Sequence, residues 1–195
     1  MAAAADVINM KMYTGKGDYG ETTDLSGQKI PKNDIRIHLI GTIDELNSYL
    51  GLIKAMLLHD ETWQFAWKTA CNCIEKAQKV LMRMMAHISD NKNDKHFCGE
   101  ADVSILEHEI DRMYEYIKNH HELIIPGKNV IEAQVQVART VARRAERYFF
   151  TVDRNKYPLC KEYGIYLNRL SDYLFVLSQQ ESLINVNFIN QITGL

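Results

Sequence analysis

The strongest constraint in this chain is a spacing. Ile43, Leu46, Leu50, Ile53 and Leu57 recur at intervals of three and four, the period of an apolar stripe along one face of a helix over roughly 41–58. The stripe returns in Ala70, Ile74, Ala77, Leu81, Met84 and Ile88, and then in Val103, Leu106, Ile110, Met113 and Ile117. It returns again in Ile131, Val135, Ala138, Ala142, Ala145 and Phe149, and finally in Leu167, Leu170, Leu174 and Leu177. Helices with one stripe each bury it by packing side by side at small crossing angles. The spacing therefore predicts an all-α fold, an antiparallel up-and-down five-helix bundle.

The punctuation agrees. The chain has only 3 Pro, at 31, 126 and 158, and all of them fall between striped segments, where they end helices without breaking them. Residues 1–40 carry no stripe and are rich in Gly, Thr, Asp and Lys, so they read as an irregular amino-terminal arm, a structured loop or a free tail. A chain of 195 residues then makes one domain, 1–195, with the arm at 1–40 and the bundle at 41–185.

Composition narrows the function classes. With 46% apolar and 25% charged residues and a net charge of −2, the chain is neither disordered nor fibrous, and it lacks the basic excess of a nucleic-acid binder. The start, "MAAAADVINMKMY", has neither a signal-peptide core nor a bilayer-spanning run, so a cytoplasmic protein away from membranes is expected. Cys71, Cys73, Cys98 and Cys160 read as reduced thiols, because the C-x-C pair sits mid-helix with its side chains about 200° apart, a poor metal clamp.

Against that neutral background, "VQVARTVARRAERYFF" gathers Arg139, Arg143, Arg144 and Arg147 on one helix, with Arg154 just beyond. Arg139, Arg143, Glu146 and Arg147 form a row beside the small-residue seam of Ala138, Ala142 and Ala145. Such a row is either a solvated ion-pair ladder or a grip for a polyanion such as a triphosphate, which guanidinium groups hold bidentately. The arm offers a matching half in "TGKGDYGET", whose glycines let backbone amides approach phosphate, with Lys16, Thr14 and Thr22 beside them. It is not a Walker loop, since no G-x-x-x-x-G-K-[ST] is present.

Two further clusters are Asp44, Glu45 and Asn47 in "GTIDELN", read as the start of the first helix, and Asn168, Arg169, Ser171 and Asp172 in "LNRLSDYLF". Asp44 there has the position of a first-turn acid favoured by the helix dipole. Asn168, between Leu167 and Leu170, reads as an amide buried in a seam, which needs a partner or a ligand. A di-iron bundle is excluded, because no Glu is followed by His three residues later, and His120 and His121 lie beside the Pro-Gly loop.

Taken in order, "YTGKGDYGETTDL", "KNDIRIHLIGTIDELNSYLG", "ARTVARRAER" and "LNRLSDYLF" resemble the motif set of PduO-type ATP:cob(I)alamin adenosyltransferases, over about residues 12–178. The resemblance implies a homotrimeric bundle with its active site between subunits and the arm folded over ATP. The reaction would transfer the 5′-deoxyadenosyl group of ATP to the cobalt of reduced corrinoid, cob(I)alamin, with triphosphate leaving and adenosylcobalamin formed. Carried over by position, Thr14, Gly15, Lys16, Gly17, Asp18, Thr22 and Lys32 would wrap the phosphates. Arg139 and Arg143 would face the triphosphate, Glu146 would contact the nucleoside, and Asn168 would complete the adenosine site. Asp44 would form an intersubunit salt bridge with Arg139, giving catalytic roles to Arg139, Arg143 and Asp44, while Arg144 and Arg147 would be structural. Leu123, Asp44 and Asn168 would border the corrinoid.

The resemblance further implies Mg²⁺ arriving with ATP and held by phosphate oxygens and water, with no dedicated side-chain ligands. A cob(II)alamin reductase and an adenosylcobalamin-dependent enzyme would be its partners. The sequence departs from the family pattern at four points. Leu123 and Lys128 stand where the family has the Phe and the second Gly of F-x-x-P-G-G, Lys16 is displaced by one place, and Gln136 stands where His is common. The first two motivate an alternative, a carrier or sensor that binds nucleotide or corrinoid without catalysis; a purely structural helical oligomer is the third reading.

Overall fold

The computed structural model describes residues 13, 15–59, 64–90, 98–117 and 125–193, the side chains of 64–66, 116 and 180–193 excepted. Five helices account for most of it: α1 (Ile35–His59), α2 (Gln64–Ser89), α3 (Glu100–Ile117), α4 (Val130–Thr151) and α5 (Glu162–Thr193). Ahead of them lie two short strands, β1 (Glu21–Thr23) and β2 (Lys29–Pro31), paired antiparallel with Thr22 opposite Ile30.

The stripes became the core. Ile43, Leu46, Leu50 and Ile53 of α1, Ile74, Leu81 and Met84 of α2, and Ala138, Ala142 and Ala145 of α4 are all fully buried, as are Leu170 and Leu174 of α5. α4 packs against both α1 and α5, α2 packs on α1, and α3 packs on α5. The direction of the chain alternates from helix to helix, but α3 and α5 both run away from the arm, so that one neighbouring pair is parallel. Cys98 near Cys160 and Glu107 near Arg169 mark their shared direction.

Small residues set how closely α4 approaches its neighbours. A methyl group on Gly164 would lie 2.6 Å from a carbon of the Phe149 ring, inside any tolerable contact. Glycine is therefore favoured where α5 begins to cross α4, since any larger residue must displace that ring. The start of α4 is specified by Asn129, whose side chain accepts the Glu132 N–H at 2.9 Å as an N-cap.

The boundary of the arm differs from the sequence expectation. α1 begins at Ile35, not near 41, because Asp34 caps it: its carboxylate accepts the Arg36 N–H at 2.8 Å and its carbonyl the His38 N–H at 3.1 Å. The core stripe accordingly runs back to Leu39. Asp44 is thus in the third turn of the helix, too deep for the first-turn dipole role. At the other end α5 continues to Thr193, past the expected limit of 185.

The described part of the arm is a structured loop. Asp24 closes the hairpin, accepting from the Ser26 hydroxyl at 2.7 Å and the Gln28 N–H at 2.8 Å, while Gly27 takes a positive φ of 83°. The cysteines are free and buried, and burial pushes the thiols of Cys73 and Cys98 up to about 11 and about 12, which keeps both protonated and unreactive at neutral pH. Among the described residues no helix is long and apolar enough to cross a membrane.

Candidate active site on the fourth and fifth helices

The arginines of α4 do not share one role. Arg144 forms an ion pair with Glu45 of α1, two half-exposed side chains tying neighbouring helices. Arg154, past the end of the helix, stacks over Phe149 and Phe150, 4.8 and 5.3 Å from their ring centroids. Arg143 is exposed and has no hydrogen-bond or ion-pair partner among the described residues. Arg147 is exposed too, and only its backbone carbonyl is engaged, by the Thr151 hydroxyl at 2.9 Å. Arg139, half-buried, donates from Nε to the Gln136 side chain at 2.7 Å. Arg139 and Arg143, one turn apart, keep cationic nitrogens uncommitted, which suits a polyanion.

Glu146, one turn further along the same row, meets Asn168 of α5. The Asn168 amide nitrogen donates to the Glu146 carboxylate at 3.1 Å, and its oxygen accepts from Arg169 at 2.8 Å. Arg169 is itself held by Glu107 of α3 at 2.8 Å. Sequence reading placed Asn168 inside the seam; it is half-buried at the edge of it, while Leu167 and Leu170 fill the interior. The helix turns its amide toward Glu146 instead of the core, which satisfies the cost of burying it.

At the arm end of the bundle, glycines permit a tight turn: Gly15 and Gly20 have φ of 69° and 83°. The Lys32 ammonium lies 3.2 Å from where a Cβ on Gly17 would be, so this lysine rests against bare backbone. Lys16, Asp18 and Lys32 are exposed and Gly17 and Thr22 are partly so. The arm is moored to the bundle through Arg36, which is 1% exposed. Its guanidinium reaches Asp34 at 3.3 Å, lies 3.9 Å from Asp24 of the hairpin turn, and covers the Tyr157 ring. A second mooring runs from the Leu25 N–H to the carbonyl and hydroxyl of Ser89 at the end of α2. Burial acts to raise the Asp24 carboxyl, yet the Ser26 and Gln28 hydrogen bonds and the Arg36 charge together hold it below its usual value.

The structure brings Glu146 and Asn168 together and sets Arg139 and Arg143 on the same helix row. It does not pair Asp44 with Arg139 within one chain: Asp44 is exposed, and Glu45 is the α1 acid that reaches α4. Thr14, Leu123, His120 and His121 lie outside the described residues. Sequence reasoning gave no role to Arg36 or to Ser178, and both are buried polar residues with at least one partner far away in the chain. Among the described residues no three His, Cys, Asp or Glu side chains converge to hold a metal ion.

Comparisons with known proteins converge on one family. Residues 12–181 match the sequence profile of cobalamin adenosyltransferases. A corrinoid adenosyltransferase of Citrobacter freundii is 37% identical over 175 residues, spanning 88% of this chain and 94% of that protein. A variant of a PduO-type adenosyltransferase from Lactobacillus reuteri, solved in complex with ATP, superposes with a TM-score of 0.77 at 30% identity, covering 90% of this chain and 96% of the other. Another variant of the Lactobacillus reuteri protein, complexed with cobalamin and ATP, gives a TM-score of 0.74 at 31% identity, covering 86% and 91%. With a profile matching most of its length and folds superposing over nearly all of it, this chain belongs to the cobalamin adenosyltransferase family, in its PduO-type branch.

Proposed function

We propose that this chain transfers the 5′-deoxyadenosyl group of ATP to the cobalt of a reduced corrinoid. The Co(I) electron pair attacks C5′ of ATP, a Co–C bond forms, the C5′–O bond breaks, and triphosphate leaves with that bonding pair. The nucleophile belongs to the substrate, so no side chain needs to act as a base. What the protein supplies is alignment and charge.

The observation that carries this reading is the single row on α4. Arg143, which is unpartnered among the described residues, and Arg139, whose terminal nitrogens are, precede Glu146 on that face, and Glu146 is met there by Asn168 of α5. In this assignment the guanidinium groups stabilise the triphosphate as its charge grows, and Glu146 with Asn168 holds the nucleoside. Gly15, Lys16, Gly17, Asp18, Thr22 and Lys32, with Thr14, close over the phosphates. Leu123, Asp44 and Asn168 border the corrinoid. Mg²⁺ travels with the nucleotide on its phosphate oxygens and water, where it offsets phosphate charge.

The site is completed by oligomerisation in this reading. Asp44 and Arg139 are each accessible and are not paired within one chain, which leaves them available to bridge subunits of a homotrimer acting in the cytoplasm. Sedimentation of the purified protein as a monomer would remove that bridge.

The reaction is tested anaerobically with MgATP and chemically reduced cob(I)alamin, following loss of Co(I) absorbance and identifying the product. Light-sensitive adenosylcobalamin that needs both ATP and protein is the expected result. ATP binding without any such product would replace this reading with a nucleotide carrier or sensor.

A further inference from the structure

Gln136 is a long polar side chain in the seam of α4, 4% exposed, and both ends of its amide are engaged. Its oxygen accepts from Arg139 Nε at 2.7 Å, and its nitrogen donates to the Ser178 hydroxyl of α5 at 2.9 Å. Ser178, fully buried, donates in turn to the Phe175 carbonyl at 2.7 Å, and its oxygen also accepts from Gln179 at 3.0 Å. Every bond in the chain from Arg139 to Gln136 to Ser178 to Phe175 donates in the same sense. It therefore ends on a main-chain carbonyl that a helix holds still.

A buried amide persists only where its hydrogen bonds are made, and here both are. The bond to Arg139 uses Nε alone. Neither terminal nitrogen of that guanidinium has a partner among the described residues, so one is left for a phosphate oxygen while the other takes the proposed intersubunit bond to Asp44. A free arginine loses much rotamer freedom when it grips a ligand, whereas one tethered at Nε has lost part of it already.

We propose that Gln136, pinned through Ser178, is a positioning residue that orders Arg139 before the polyphosphate arrives. This rests on the reading of Arg139 as a triphosphate contact. It adds that the grip is preset from α5 by a buried network, and that it belongs to nucleotide binding and not to corrinoid binding.

The test is Gln136→Met, which keeps the volume and removes the amide, beside Ser178→Ala, which leaves the acceptor for Arg139 but frees its anchor. KM for each substrate, ATP binding by calorimetry and the thermal midpoint are measured on both variants and the parent. Q136M is expected to weaken ATP binding and raise its KM roughly two- to tenfold, with the corrinoid KM unchanged and a smaller shift of the same kind in S178A. Unchanged ATP binding in Q136M would overturn the proposal, as would equal rises in both KM values tracking a lower thermal midpoint. Should Q136M fail to fold, S178A decides by the same criterion. A parent protein that binds ATP but transfers nothing counts against the proposed reaction and leaves the binding comparison in force.

Discussion

The guanidinium of Arg36 lies over the ring of Tyr157, 3.9 Å from its centroid, and so a residue from the start of α1 is clamped by the connection between α4 and α5. Asp24 and Asp34 complete its surroundings. A cation this deeply buried is held by partners from three separate segments, and removing it strands the acid of the arm. Breaking a buried pair by deleting one member costs about 3–5 kcal/mol. Arg36→Met is expected to lower stability by that order in urea titration and to expose the hairpin to limited proteolysis. Equal cleavage of variant and parent would show that the arm is held by something else.

The pH dependence of that mooring has a definite sign. The folded Asp24 carboxyl lies below the ordinary aspartate range, so the folded state binds its proton less readily than the unfolded chain. Its contribution to stability is fully present above about pH 4 and is lost as pH falls through the lowered value. Asp24→Asn is expected to flatten the acid limb of the stability curve while stability above pH 5 is lower throughout. An acid limb identical in the two proteins would assign acid sensitivity to other carboxylates.

Two arginines adjacent in sequence separate catalysis from packing. Arg143→Ala removes an uncommitted cation of the proposed triphosphate grip and is expected to lower kcat about 10²- to 10³-fold with the fold intact. Arg144→Ala removes a half-exposed ion pair with Glu45, worth about 0–1 kcal/mol, and is expected to leave turnover near that of the parent. Steady-state kinetics with circular dichroism on both variants checks the pair. A reversed order of effects would mean that the roles are exchanged.

Gly164→Ala sets two magnitudes against each other. Alanine in a helix gains about 0.5–1 kcal/mol over glycine. The added methyl, however, would meet Phe149 at 2.6 Å, and overpacking of this kind costs about 1–3 kcal/mol. The clash is expected to win, with a net fall in the urea midpoint that Phe149→Leu partly restores. A stabilised G164A would mean that the α4–α5 contact can relax without cost.

The bundle was legible because its information is local and periodic: every seam residue of α2 from Ala70 to Ile88 is buried as its spacing implied. The start of α1 was not, because "KNDIRIHLI" shows a charge where the core begins. Arg36 donates to Asp34 beside it, but its other neighbours, the Asp24 carboxylate twelve positions earlier and the Tyr157 ring far along the chain, leave no mark on the helical period. The hairpin escaped for the opposite reason, since strands of three residues are too short to display alternation. In the site, Glu146 and Asn168 were singled out by row and seam spacing, linked by motif likeness, and then met in space. Gln136 with Ser178 shows the limit, for two polar residues 42 positions apart give no sign in sequence that one helix holds the other's side chain.

The Asn168 amide has its oxygen on a guanidinium and its nitrogen on a carboxylate. Turning it end for end would set donor against donor and acceptor against acceptor, so the group has a fixed polarity, unlike most asparagines, which can reverse to suit a visitor. Whatever docks beside it meets a surface that discriminates by hydrogen-bond pattern. Under the proposed nucleoside assignment, a ligand with its donors and acceptors exchanged would be disfavoured there by electrostatics.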